Sequence, residues 1–97
     1  MPSQRPQAKG TRMIDNARTI VTEYRFAPGA ETGWHKHGHD YVVVPMTTGN
    51  LLIEGPGGTS TLAPLTAGIP YARTEGVEHN VVNPNATEFV FIEIEMK

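Results

Sequence analysis

Residues Gly33–Tyr41 read Gly-Trp-His-Lys-His-Gly-His-Asp-Tyr. Successive side chains of an extended strand point to opposite faces, so His35 and His37 are expected on the same face. Two residues of strand separate their Cα atoms by about 6.6 Å. From that spacing two imidazoles reach one metal ion at about 2.1 Å from each nitrogen. The pattern therefore predicts two ligands of a metal site.

A third imidazole has to come from another part of the chain. His79 is the candidate, and it is predicted to complete the site from a distant strand. His39 has the parity of His37, but Gly38 interrupts the strand between them. A fourth ligand, a proton acceptor behind the ligands and a surface residue all stay open for His39. Asp40 would join the site only if the backbone bulges, because its parity points it away.

Length and composition limit the class of protein. The chain has 97 residues, enough for one domain with little left over. It contains no cysteine, which excludes disulfides, thiolate catalysis and cysteine-ligated zinc and fits a cytoplasmic protein. No segment approaches the roughly 20 apolar residues that cross a bilayer. The start of the sequence also lacks the apolar segment of a secretory signal. We expect a cytoplasmic protein with no membrane role.

The charges are distributed unevenly. Five of the eight basic residues precede Trp34, and from Asp40 onward only Arg73 and Lys97 are basic. This distribution offers no basic stripe for phosphate groups, so a nucleic-acid partner is not expected.

Short strands separated by glycine, proline and asparagine fill most of the chain. Ile20–Phe26 alternates between apolar and polar residues, and Tyr41–Val44 is apolar on both faces. No segment of useful length has a helical period, and many short strands favour a barrel or sandwich. Residues 1–11 are polar and rich in proline, and we interpret them as a flexible arm or a strand added late. Residues 12–97 are predicted to form a single domain.

The last strand, Thr87–Met96, has two different faces. One face is apolar and is predicted to carry Val90, Ile92, Ile94 and Met96. The other is mixed, and it is predicted as the surface that meets a partner chain. Its residues are Phe89, Phe91, Glu93 and Glu95.

The spacing of glycine and histidine resembles the two motifs of the cupin family. The likeness covers Gly29 to Asn83, more than half of the chain. The matching positions are Gly29, His35, His37 and Gly49 in the first motif, and Gly68, Gly76, His79 and Asn83 in the second. The resemblance implies an all-β double-stranded β-helix, which is a jelly-roll barrel with little or no helix. It is similar in particular to short single-domain cupins associated with β-alanine degradation.

Two positions depart from the family motifs. Thr74 replaces a proline, which alters only the rigidity of a turn. The metal-binding glutamate of the family is missing, because Tyr41 and Val42 occupy the two positions where it would stand. The resemblance therefore implies a three-histidine variant of the site. Such a site would hold one divalent transition metal, which could be iron, zinc, nickel or copper, through His35, His37 and His79.

Two hypotheses of function follow from an open three-histidine site. The first is an enzyme that acts on a small polar metabolite by dioxygen insertion or Lewis-acid chemistry. The second is a binding module whose metal orients a ligand without turnover or is merely structural. A metal-free scaffold is the third and weakest alternative. A homodimer and a small-molecule ligand are expected in the first two cases.

Two further residues are candidates for contact with a substrate. Tyr41 is predicted to offer its hydroxyl to the substrate, and the alternative is a buried aromatic side chain. Arg73 is the only arginine after Arg25, and its guanidinium is predicted to receive a substrate carboxylate. A solvated side chain and an interchain salt bridge are the alternatives for Arg73.

Overall fold

The computed structural model describes residues 4–97, and these residues form two antiparallel sheets. The strands are β1 (Lys9–Asp15), β2 (Thr19–Phe26), β3 (His35–Lys36), β4 (Asp40–Pro45), β5 (Gly49–Glu54), β6 (Ser60–Leu65), β7 (Tyr71–Arg73), β8 (Glu78–Val82) and β9 (Phe89–Met96). The only helical element among the described residues is a 3-10 turn at Pro56–Gly58. The prediction of an all-β jelly roll with little helix is confirmed. None of the described residues belongs to a helix long and apolar enough to cross a membrane.

The five-stranded sheet has the order β1-β2-β9-β4-β7, and the four-stranded sheet has the order β3-β8-β5-β6. Side chains from both sheets meet in a single apolar core. Phe26 and Phe89 are opposite each other on β2 and β9, and both are fully buried. Leu51 reaches them from β5 in the other sheet. Burying a side chain of this size contributes about 1.5–3 kcal/mol. The two sheets are therefore held together by packing of apolar side chains between them.

The inward face of β9 differs from the prediction. Phe89, Phe91 and Glu93 are buried, whereas Val90 and the other residues of the apolar face are only half-buried or exposed. The mixed face points into the barrel, so it is not the surface that meets a partner. Its two aromatic rings fill the core, and Glu93 occupies the polar end of the interior. Large apolar residues on both faces of this strand concealed the direction of the core.

The described part of the N-terminal segment pairs with the chain around Glu31. Residues 1–3 of the predicted arm lie outside the described residues. Ala8 is buried, and its amide donates a hydrogen bond of 2.8 Å to the carbonyl of Glu31. The Glu31 amide in turn donates to the carbonyl of Pro6. Strand β1 already begins at Lys9, so the boundary predicted at residue 11 lies inside a strand.

Candidate metal centre

Strand pairing brings His35 and His79 to the same place. They are direct partners in the antiparallel pair β3–β8, so their side chains project from the same face. His37 lies just beyond β3. Its amide donates to the carbonyl of Val77, and its carbonyl accepts from the amide of Gly76, each at 2.9 Å. This pairing keeps the chain extended, so the two-residue period returns His37 to the face of His35.

The three imidazoles form one compact group, which we call the histidine cluster. The Nε2 atom of His37 is 3.0 Å from Nε2 of His35 and 3.0 Å from Nε2 of His79. One candidate nitrogen from each residue lies within 4.8 Å of the other two. Two nitrogens at about 2.1 Å from one ion, with an angle of about 90–109° between them, are about 3.0–3.4 Å apart. The spacing of the donor atoms therefore fits a single metal ion.

The position of one proton in the cluster follows from its hydrogen bond. His35 Nδ1 is 2.9 Å from the carbonyl oxygen of Gly33. A carbonyl oxygen only accepts, so Nδ1 of His35 carries a proton, and in the neutral ring Nε2 then presents a lone pair. On the other side of the cluster, His37 Nδ1 is 3.5 Å from Oε1 of Glu93. The cluster thus has acceptors behind two of its rings and nitrogen atoms at its centre.

Burial keeps two of these histidines neutral at pH 7. The pKa of His37 is lowered to about 4, first by burial and then by the neighbouring His35 and His79 side chains. The pKa of His79 is also lowered to about 4, first by burial and then by His35 and Arg73. Neutral imidazole is the form that binds metal, so no proton has to leave these two side chains at neutral pH.

Glu93 is a buried carboxyl group next to the histidine cluster, and it was not among the site residues predicted from the sequence. Only 5% of its surface is exposed to solvent. Burial raises its pKa to about 7, and the neighbouring charge of Glu95 contributes. An ion pair between these residues would raise the pKa of His37 and lower that of Glu93. Both pKa values are shifted the other way, so burial outweighs the contact. The alternation of β9 placed Glu93 on the same face as Phe89 and Phe91, but the sequence did not reveal that this face points inward.

Tyr41 packs directly against the cluster. Its ring stacks on the His37 ring with a centroid distance of 3.8 Å and an interplanar angle of 19°. Its hydroxyl is buried, and no partner for it is found in the described part of the chain. Burial raises the pKa of Tyr41 to about 12, with Glu93 adding to the shift, so the hydroxyl remains protonated. Tyr41 is therefore a buried aromatic residue that also carries a free hydrogen-bond donor.

Arg73 lies at the exposed end of β7, on the wall of the same cavity as the cluster. Its guanidinium carbon is 4.7 Å from the centre of the Tyr71 ring, and its Nη1 donates to the carbonyl of Ala72. The cavity has a volume of about 570 Å³. Ile53 and Phe91 contribute apolar wall, so the space combines one cationic side chain, polar groups and apolar surface.

The two additional ligand candidates are outside the histidine cluster. Asp40 is exposed, and its Oδ1 accepts a hydrogen bond of 2.8 Å from the amide of Glu75. His39 is half-buried and does not belong to the group of potential ligands. Among residues 4–97, that group consists of the three histidines that the sequence singled out. Their donor set fits a divalent transition metal, and ligation itself remains a prediction.

Two similar proteins decide the family. The chain is 63% identical over 95 residues to the β-alanine degradation protein BauB of Pseudomonas aeruginosa, with 98% of this chain and 99% of that protein covered. It is also 62% identical to a cupin domain from Bordetella pertussis Tohama I, with a TM-score of 0.94 and 99% of both chains covered. The chain belongs to the cupin superfamily.

More distant cupin-like structures share the fold alone. A protein with a double-stranded β-helix domain from Klebsiella pneumoniae is 20% identical, with a TM-score of 0.76, 99% of this chain covered and 81% of that chain. No family model matches the chain. The cupin resemblance that the glycine and histidine spacing indicated is thus confirmed by whole-chain similarity.

Proposed function

We propose that this cupin binds one divalent transition metal through His35, His37 and His79, and that it is an enzyme acting on a small amino or carboxy acid. The observation that carries the proposal is the approach of three Nε2 atoms to one point, with spacings of 3.0 Å about His37. When bound, such a metal supplies Lewis acidity to a chelated ligand or, if it is iron, reactivity toward dioxygen. Both reaction types fit three neutral ligands that leave coordination positions open.

The remaining residues of the cavity have complementary tasks in this proposal. Arg73 at its wall receives the carboxylate of the ligand, because a guanidinium offers two parallel donors to that group. Tyr41 donates its unsatisfied hydroxyl proton to a polar atom of the ligand. Glu93, whose Oε1 lies 3.5 Å from Nδ1 of His37, would accept the proton of that nitrogen in a hydrogen bond and so keep Nε2 available. The apolar wall formed by Ile53 and Phe91 excludes water from the ligand.

The similar protein from Pseudomonas aeruginosa carries β-alanine degradation in its name, and we extend that association to this chain. A β-amino acid has the carboxylate that Arg73 would bind and a second polar group that could approach the histidine cluster. A cytoplasmic location and a homodimeric assembly belong to the same proposal. An apolar row on the outer surface of the five-stranded sheet supports the homodimer.

The proposal is tested by metal analysis of protein purified without added metal, followed by dioxygen uptake with a panel of thiols and small acids that includes β-alanine. One equivalent of iron with uptake supports the dioxygenase. One equivalent of zinc with conversion of a panel compound, without uptake, supports Lewis-acid catalysis. Metal without turnover of any compound favours the non-catalytic binding module. Absence of metal, also after incubation with iron, zinc, nickel or copper salts, contradicts the proposal as a whole.

A pair of histidine variants tests which side chains bind the metal. We expect His79→Ala to lose metal retention while the barrel stays folded, because the remaining two imidazoles hold an ion far less tightly. His39→Ala is the matched control, since His39 is close in sequence but outside the histidine cluster, and it should keep one equivalent. Metal content by mass spectrometry and folding by circular dichroism are the measurements. Unchanged metal content in His79→Ala would remove His79 from the site.

A further inference from the structure

Asn80 is buried although it lies on the outward face of β8, opposite to that of its neighbour His79. Only 7% of its surface is exposed. Side chains of the N-terminal segment and of the loop before β3 cover it, together with Glu54, its direct partner on β5. A buried polar side chain lowers the stability of the folded protein unless its hydrogen bonds are made.

The amide group of Asn80 makes hydrogen bonds with both of its ends. Its Oδ1 accepts from the backbone amide of Gly33 at 2.9 Å. Its Nδ2 donates to Oε1 of Glu31 at 2.8 Å and to Oε1 of Glu54 at 2.9 Å. Arg5 contacts the same two carboxylates, with Nη1 at 3.2 Å from Glu31 and 2.9 Å from Glu54. The amide therefore joins a charged cluster on the outer surface to the backbone of one loop.

That loop determines the orientation of His35. Gly33 has a φ of +86°, a left-handed conformation that favours glycine. Its amide is held by Asn80, and its carbonyl oxygen is the acceptor for Nδ1 of His35. Asn80 thus fixes a residue whose other backbone group selects the tautomer of His35. The connection runs from Arg5 through the two carboxylates, Asn80 and Gly33 to the imidazole.

We propose that Asn80 is a positioning residue that holds His35 as the Nδ1–H tautomer with Nε2 directed into the histidine cluster. Its value to the protein rests on the proposed metal function, because that tautomer presents the ligand nitrogen. The hydrogen bond behind a metal-binding histidine typically changes metal affinity by about 10- to 100-fold when it is lost. Asn80 acts on this bond through Gly33 and does not touch the cluster itself.

The tautomer of His35 is measured by nitrogen-15 NMR of metal-free protein with labelled histidine, with the signals assigned from single histidine variants. We expect the Nδ1–H form of His35 to dominate in the wild type. Asn80→Asp should reduce it, because a carboxylate cannot donate to Glu31 and Glu54 and is repelled by both. Asn80→Ala removes the amide without adding charge and should act in the same direction. Zinc affinity should fall by about tenfold or more in both variants.

Two further variants make the test specific. Asn85→Ala is the matched control, because the hydrogen bonds of the Asn85 side chain go to Asn50 and Asn83 and not to the histidine cluster. It should leave the tautomer and zinc affinity unchanged. Arg5→Gln weakens the contacts of residue 5 with Glu31 and Glu54, at the outer end of the connection. It should cause a smaller change in the same direction even if both Asn80 variants fail to fold.

The two proposals fail in different ways. An unchanged His35 tautomer and unchanged zinc affinity in the folded variants would overturn the positioning role of Asn80 and leave the metal site intact. If the tautomer responds to Asn80 but the wild type takes up neither zinc nor any other metal tested, the positioning of His35 stands and the metal function is overturned.

Discussion

Tyr41 is a residue whose proposed role in the site conflicts with the stability of the core. Its buried hydroxyl has no partner among the described residues, and an unsatisfied buried polar group costs about 1–3 kcal/mol. We therefore expect Tyr41→Phe to keep or raise the free energy of unfolding of the metal-free protein by about 1 kcal/mol, measured by urea denaturation. A loss of more than about 2 kcal/mol would show that the hydroxyl is satisfied in solution.

The buried carboxyl of Glu93 predicts a pH dependence of stability. Its folded pKa is raised from 4.5 to about 7. A raised pKa means that the folded state binds more protons in this range, so the stability from the neutral buried acid is complete below pH 4.5 and is lost as the pH rises through 7. Glu93→Gln keeps the group neutral at every pH. The variant should therefore gain stability relative to the wild type as the pH increases.

The measurement for Glu93→Gln is thermal unfolding of chelator-treated protein at pH 5 and pH 8. The midpoint of the variant minus that of the wild type should be more positive at pH 8. Groups that do not contact Glu93 contribute equally to the stability of both proteins, so their contributions cancel in this difference. An equal difference at both pH values would mean that Glu93 has an ordinary pKa in the folded protein.

At the scale of the elements, Asn83 fastens the turn after β8 to the end of β2. Its Nδ2 donates to the carbonyl oxygens of Phe26, Ala27 and Thr87, and the residue is fully buried. Asn83→Ala leaves these acceptors without their donor, so we expect a loss of about 3 kcal/mol in unfolding free energy by urea denaturation. Asn85→Ala, in the same turn and half-buried, should cost less than about 1 kcal/mol. Equal losses would refute the anchoring role of Asn83.

The elements also show what could be predicted from the sequence. Strand period alone placed His35 and His37 on one face, because that relation is local and does not depend on the rest of the fold. The motif spacing also predicted His79 as the third ligand, on a distant strand. Glu93 and Asn80 were not identified as site residues, since their partners are distant in sequence and only the pairing of strands brings them together. The two-faced pattern of β9 left the core direction undetermined, and the face chosen was wrong.

The outer surface of the five-stranded sheet is the feature that matters at the scale of the whole molecule. Strand register places Ile14 beside Val21, Val21 beside Ile94, and Ile94 beside Val42, so these four side chains form a row across four strands. Ile14 is 49% exposed, and the other three are half-buried. We call this row the outer apolar row. A surface of this kind is typical of contacts between proteins.

A second copy of this chain is the partner that we expect on the outer apolar row. Sheets pack well face to face, and a two-fold axis brings the same row of each copy together without requiring a different protein.

Ile94→Lys puts a charge in the middle of this contact, where it would be desolvated and would face its own copy across the axis. The variant should sediment as a monomer under conditions in which the wild type is a dimer, with the barrel still folded by circular dichroism. Leu62→Lys is the matched control, since Leu62 is 57% exposed on β6 of the other sheet, and it should remain dimeric. A dimer in Ile94→Lys, or a monomer in the wild type, would exclude the outer apolar row as the contact.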